Sequence, residues 1–451
     1  MNNIKNHKME IVFKIWFLLY TMLSVCNLIY GKQIISFVMW PMICLGGVVI
    51  LIRLIHFKEY LQMKGTLILL FFTMSFLISI VINHEYGLKD NLITLSFWCF
   101  YFFILYTRTP NESRETWNRE FEILGYVYVV YTTIGFMLSL VMFFMEYSHV
   151  YTNQRGYEVA AGFIWGRLWG VFIDPNSAAV MATVAICFIL YFWKKTCNKL
   201  LHCFMCIDIV ISILYIAFSD SRTGRVCLGT IIFTYILFNG LYKKRESGLR
   251  AKVGIWGIAF AVGIMGFYLP KGISSLYNVI QLENSENNKE EDVNLVERGY
   301  DIETDISNRR FQIWESGIEI FFDSPVVGVT FGGMREYAED NLPETYIVNN
   351  DYKDFNTLDN DYLNVITSQG VLGLVFMLLF VGIVLITIFK RIMVLEPENF
   401  RIGIICLMIV ASISVSALFR AAMFYHSSPN ANIFWSVLGI LMLIVREKRE
   451  A

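Results

Sequence analysis

Apolar residues in this chain come in long unbroken blocks of about 16 to 28 residues, separated by short polar stretches. Helices of that length cross a bilayer core, which takes roughly 20 apolar residues. Twelve blocks predict twelve spans, at about 11–30, 34–55, 66–82, 91–107, 123–145, 177–193, 200–218, 224–242, 252–269, 362–389, 401–419 and 431–446. One long polar segment interrupts the series, from about Lys271 to Asp361. The pattern divides the chain into nine spans within 1–269, a large loop over 270–361, and three spans within 362–451.

Basic residues orient the spans. With the N-terminus cytoplasmic, the inner segments carry 22 Lys and Arg, and the short outer loops only seven. Both termini are then expected inside the cytoplasmic membrane and the long segment outside. The first block, from Ile11, sits where a signal peptide would. It lacks a small-residue cleavage site and more spans follow, so it is read as a retained helix.

Composition agrees with this class: 56% hydrophobic, 17% charged, mean hydropathy +0.53. The net charge of −1 says nothing about nucleic acid, but the chain has no basic tract of the kind that binds it, so no nucleic-acid partner is expected. All nine cysteines lie in or beside apolar blocks, which argues against a disulfide framework. Cys203 and Cys206 form a CxxC inside an apolar helix with no second pair, and are read as packing or lipid-facing residues. No metal site is expected.

The long segment holds 20 of the chain's 38 acidic residues. Its first half, "QLENSENNKEEDVNLVERGYDIETD", reads as polar and mobile. Its second half contains "SNRRFQIWESGIEIFF", which puts Phe311, Trp314, Ile318 and Phe322 on one helical face. This predicts an amphipathic helix near 308–322, capped by Ser307 or Asn308 and stopped by "DSPVVG".

Against that frame, arginines on the outer side stand out. "SDSRTGR" places Arg222 and Arg225 in a tight hairpin between two spans. "GRLWGVFIDPNSAA" brings Arg167, Asp174 and Asn176 to the outer end of the sixth span, with Pro175 suited to a helix start. Arg309 and Arg310 precede Trp314. "LDNDYLNVITSQGVLG" brings Asp359, Asn360 and Asp361 to the start of the tenth span. Guanidinium groups grip phosphate oxygens bidentately, and a helix N-terminus favours anions. A carboxylate at the boundary could act as a general base. Each feature also has a structural reading: lipid snorkelling for Arg222 and Arg225, salt bridging for Arg309, and capping for Asp174, Asn176, Asn360 and their neighbours. Together the arginines suit a polyanion presented at the outer leaflet.

Four stretches in this order resemble the O-antigen ligase and polymerase superfamily, the Wzy-type polysaccharide polymerases: "GRLWGVFIDPNSAA", "FSDSRTGR", "RFQIWESGIEIFFDSPVVGV" and "DNDYLNVITSQGVLG". The likeness covers about residues 160 to 380. It implies a membrane glycosyltransferase of GT-C type that uses no nucleotide sugar, metal or other cofactor. Such enzymes join glycan repeat units carried on undecaprenyl pyrophosphate at the outer face of the bacterial cytoplasmic membrane, for capsule, exopolysaccharide or O-antigen. By position, Arg167, Arg222 and Arg310 match arginines thought to hold the pyrophosphate, with Asn176 beside them. Arg225 has no counterpart and is a supporting residue with Asn360 and Trp314. The ligase branch has a histidine before an asparagine where this chain has Asp359–Asn360. None of its six histidines lies in the long segment. The resemblance therefore favours a polymerase, with Arg222, Arg310 and Asp359 catalytic and Asp359 the base. A ligase, a flippase of lipid-linked sugars and a non-catalytic assembly subunit are the alternatives. A chain-length regulator is a candidate partner.

Overall fold

The computed structural model describes residues 2–110, 112–153, 158–288, 295–297, 309–351 and 354–446. Every predicted span falls on a helix: α1 (Asn2–Ser24), α2 (Gln33–Ile55), α4 (Thr66–Ile82), α5 (Leu88–Phe100), α6 (Arg114–Phe144), α7 (Pro175–Trp193), α8 (Lys199–Phe218), α9 (Arg222–Lys243), α10 (Leu249–Asn288), α13 (Asp361–Arg391), α14 (Pro397–Ser416) and α15 (Pro429–Ile444). The short α3 (Phe57–Tyr60) follows α2, and α5 runs on as a π-helical turn, Tyr101–Tyr106. Among the described residues, nine helices are long and apolar enough to cross a membrane, and α4 and α15 are shorter apolar helices. The chain is an all-α polytopic membrane protein. Pro175, Pro397 and Pro429 each open a helix, where the missing N–H costs no hydrogen bond.

Burial separates inner from outer helices. The α7 span is 83% buried and α15 is buried along its whole length, whereas the α2 span is only 17% buried. Peripheral helices turn residues such as Phe37, Leu51 and Met265 outward, as a lipid-facing surface does. On the opposite side from the site, a buried ion network ties α1, α2 and α6. Lys14 Nζ donates to both oxygens of Glu120 at 2.9 Å. Arg108 also pairs with Glu120 and, at 2.9 Å, with Glu112, while Arg53 pairs with Glu10 at 2.6 Å. Arg53 and Arg108, which count as inner positive charges in the sequence, are thus buried and paired.

Two features differ from expectation. The stretch between α6 and α7, read as a connection, is a three-stranded antiparallel meander: β1 (Ser148–Thr152), β2 (Glu158–Ile164) and β3 (Arg167–Gly170). Its second turn is Trp165–Gly166, both at positive φ, the two-residue turn that a hairpin's twist prefers. A Cβ on Gly166 would lie 2.0 Å from the Glu297 carbonyl oxygen, so only glycine fits. The polar segment also starts as helix, because α10 continues through Pro270 to Asn288. Most of the stretch expected to be mobile, and both proposed caps Ser307 and Asn308, lie outside the described residues.

The second half of that segment folds on a small core of its own. Helices α11 (Arg310–Asp323) and α12 (Met334–Asn341) bury Ile313, Ile320, Met334 and Ala338 against Ile347, Phe355 and Leu358. The face carrying Phe311, Ile318 and Phe322, expected to lie on the outer membrane face or over a cavity, is the exposed one, and the opposite face packs on this core. Helix α11 turns Ile313, Ser316, Gly317 and Ile320 inward, while Phe311 and Phe322 are 66% and 72% exposed. The small Gly317 lets Leu358 approach, and this close packing outweighs side-chain size.

Helix α13 breaks at Gly370 (φ 60, ψ −154). The loop at 325–330 runs alongside and takes up the freed backbone groups. Val371 N–H donates to the Pro325 carbonyl at 2.8 Å, and Val329 and Thr330 N–H donate to the Thr367 and Ser368 carbonyls at 3.0 and 3.1 Å. Irregular backbone at such a position is tolerated because protein covers it. Residues 370–391 alone reach roughly 33 Å, enough for the core, so the first turns of α13 stand at its margin.

Candidate functional site

Four helix starts, strand β3 and one loop build the site. Helix α7 begins at Pro175, and the Asp174 carboxylate caps it, accepting from the N–H groups of Asn176 (2.9 Å) and Ser177 (3.3 Å). Helix α9 begins at Arg222 under a Ser221 cap, whose Oγ accepts from Gly224 N–H at 3.1 Å. Helix α13 begins at Asp361 under an Asn360 cap, with Oδ1 accepting from Tyr362 and Leu363 N–H at 3.0 and 3.2 Å. The local rule that places Ser, Asp and Asn at helix N-termini therefore accounts for these three polar residues. It does not account for the arginines.

Arg167, on β3, reaches across to both helices. Its Nε donates to the Ser219 carbonyl at 2.9 Å and its Nη2 to Asn176 Oδ1 at 2.9 Å. The Ser221 hydroxyl donates to the same Asn176 oxygen at 2.9 Å. Asn176 thus ties the meander, the α7 start and the hairpin before α9 into one unit. Helix α11 is held to the segment before α13 by Trp314, whose Nε1 donates to the Leu358 carbonyl at 3.0 Å, just ahead of Asp359. Trp314 is a positioning residue by its contacts.

Arg310 is the first residue of α11. Burial pulls its guanidinium below the ordinary arginine value. The Asp359 carboxylate acts against this, and the Arg420 and Arg222 charges add to it. Asp174 also lies within its electrostatic reach. The Arg310 Nε is buried and has no hydrogen-bond partner among the described residues. Its guanidinium carbon lies 6.0 Å from the Phe419 ring centre.

Arg420 is the residue that sequence reading missed. It pairs with Asp174 at 2.5 Å. Burial alone would raise the Asp174 carboxyl, but Arg420, the Asn176 N–H and Arg167 outweigh it and hold the group below the usual carboxylate range. The loop carrying Arg420 is pinned from α13, because Asp361 Oδ2 accepts from Ala422 and Met423 N–H at 2.7 and 2.5 Å. Its signal in the sequence was only that it is one of seven outer basic residues. No local motif distinguishes it.

The arrangement therefore gathers Arg167, Arg222, Arg310 and Arg420 with Asp174 and Asp359. Asn176, Asn360 and Trp314 hold the frame. Arg225 points elsewhere in its contacts: it faces Asp220 at 3.7 Å and lies 5.5 Å from the Phe267 ring of α10. Backbone strain marks the same places. Of the six non-glycine residues at positive φ among the described residues, Trp165, Asp220, Arg309 and Asp359 each lie in the segments that present these side chains. Such conformations cost about 1–3 kcal/mol each and persist where the surroundings enforce them. Among the described residues no group of three His, Cys, Asp or Glu could hold a metal ion.

Comparison with known families bears on this geometry. The family model described as O-antigen ligase matches residues 207–378, and that stretch of the chain is similar to the O-antigen ligase and polymerase superfamily. The family is one of glycan transfer in membranes. The matched stretch contains Arg222, Arg310 and Asp359; Arg167, Asp174 and Arg420 lie outside it. A search of curated proteins finds no match.

Proposed function

We propose that this chain is a polysaccharide polymerase acting at the outer face of the bacterial cytoplasmic membrane, with both termini inside the cell. Its substrates are glycan repeat units carried on undecaprenyl pyrophosphate. One observation carries the reading: Arg310, Arg222 and Arg420 are brought together by separate elements, and the Arg310 Nε is a buried donor awaiting an acceptor. A diphosphate supplies such acceptors in quantity.

In the reaction, a hydroxyl at the non-reducing end of one lipid-linked repeat attacks the anomeric carbon of a growing glycan. The new C–O bond forms as the bond from that carbon to the pyrophosphate oxygen breaks, and the electron pair leaves with undecaprenyl pyrophosphate. The hydroxyl proton passes to a carboxylate, for which Asp359, beside Arg310, is the choice. Arg167, Arg222 and Arg310 stabilise the charge growing on the leaving oxygen, with Arg420 as a fourth cation. Preorganised donors of this kind carry much of the rate in group transfer. The tie from Arg167 through Asn176 to Ser221 keeps these groups from having to reorganise during the step.

A ligase that moves finished glycan to another acceptor is the second reading, favoured by the description of the matching family. Asp359 standing where a ligase has histidine favours the polymerase. Deleting the gene and extracting the lipid-linked glycans separates the two. A missing polymerase leaves single repeats on the lipid, whereas a missing ligase leaves long chains on it. Complementation with Arg222→Ala is expected to yield membrane-inserted protein and no polymer, and Arg222→Lys, which keeps charge but not the fork, to restore little. Normal chain length from Arg222→Ala would remove Arg222 from the site.

A further inference from the structure

A second space borders the arginine group. It is a cavity of about 800 Å³ between the outer ends of α1, α2 and α5 and the 420–428 loop. That is within the usual size of small-molecule sites. Asp174 and Arg420 line it as an ion pair, and both also lie within electrostatic reach of Arg310. Trp40 and Phe97 supply ring surfaces, and Lys89 and His426 supply polar edges.

Three observations define what would fit. The cations Lys89 and Arg420 are matched by the carboxylates Asp90 and Asp174, so the lining is balanced rather than anion-seeking. His426 lines the cavity and is exposed there, offering an imidazole edge to a ligand. Polar groups without net charge, set among aromatic rings, suit a hydroxyl-rich neutral ligand. Finally, every lining residue lies outside 207–378, the stretch shared with the family. Of the arginine group, Arg222 and Arg310 lie in that shared stretch, whereas the cavity takes no residue from it.

We infer that this cavity seats the terminal sugars of the acceptor glycan, directing its hydroxyl past the Asp174–Arg420 pair toward the arginine group. The inference rests on the polymerase reading and adds where acceptor selectivity resides.

The test uses the full chain in nanodiscs and two probes. The first is undecaprenyl pyrophosphate. The second is the oligosaccharide released by mild acid from the lipid-linked glycan of a strain lacking this chain, which keeps the non-reducing end and loses the diphosphate. Ser36→Trp, which fills the cavity, is expected to weaken the free oligosaccharide by at least about tenfold and to leave undecaprenyl pyrophosphate binding within about twofold; Arg222→Ala is expected to do the reverse. In case Ser36→Trp does not fold, Ser36→Cys gives a second reading: modification by a water-soluble maleimide should be slowed by the oligosaccharide and not by undecaprenyl pyrophosphate. Oligosaccharide binding indifferent to Ser36→Trp, or labelling of Ser36→Cys indifferent to the oligosaccharide, overturns the cavity assignment alone. Undecaprenyl pyrophosphate binding that does not depend on Arg222, or a deletion strain with no lipid-linked glycan, overturns the polymerase reading instead.

Discussion

Replacing Arg310 with alanine should separate stability from activity. The side chain is half-buried, and its Nε donor has no partner among the described residues. An unsatisfied buried donor costs about 1–3 kcal/mol, which the substitution recovers. Against that stand a cation–π contact to Phe419 at 6.0 Å and the attraction to Asp359. These contribute about 1 kcal/mol each at most in a partly exposed setting. Alanine at a helix start brings no propensity penalty. The terms nearly cancel, so the folded state should change by no more than about 1 kcal/mol. The transfer step should slow far more: losing one preorganised donor to a developing oxyanion costs about 2.7–4 kcal/mol, or roughly 100–1,000-fold. Arg310→Lys should recover only part of this, since it restores the charge without the planar fork. The measurements are thermal unfolding of purified protein in detergent, followed by tryptophan fluorescence, and polymer formed per minute from extracted lipid-linked repeats. A variant that unfolds many degrees earlier while making polymer at the normal rate would show that Arg310 serves only as the partner of Asp359. The cradle would then lose its central member.

Four further outcomes follow from the same geometry. Glu120→Ala should destabilise the protein by about 3–5 kcal/mol, because it leaves Lys14 and Arg108 buried without their shared partner; unfolding in detergent reads this directly. Gly370→Ala should misfold or unfold early, since an added Cβ would sit 2.4 Å from the Val326 carbonyl carbon at a positive φ; wild-type melting would mean the break in α13 is not enforced. Trp314→Phe should cost about 1 kcal/mol of stability by leaving the Leu358 carbonyl unpaired, and should slow transfer through displacement of α11 and Arg310; an unchanged rate would separate α11 from the site. The Asp174 carboxyl is held below its unfolded value, so its contribution is full above about pH 4 and disappears as pH falls through the lower folded value. Wild type should therefore lose stability more steeply than Asp174→Asn as pH falls below about 4, and equal slopes would contradict the pairing with Arg420.

The sequence by itself determined the number and place of the apolar helices, because a bilayer demands long uncharged runs and leaves little freedom in how they are satisfied. It also located the polar residues that open α7, α9 and α13, since capping is a matter of a few adjacent residues. The arginines of the outer connections were legible as a set. The resemblance singled out Arg167, Arg222 and Arg310 among them but not Arg420, which comes from a distant place in the chain and which only packing brings into the same field. Arg225 differs from Arg222 by three positions on a helix, and that rotation sends it toward Phe267. The meander rests on a two-residue turn at Trp165–Gly166 too short to stand out from its surroundings. The apolar face of α11 was legible as periodicity, but the opposite side, where Gly317 lets Leu358 approach, became visible as a packing face only in the folded chain. Cavity and ion pair at Asp174–Arg420 depend on contacts between residues more than 240 positions apart, a distance at which only the folded chain carries information.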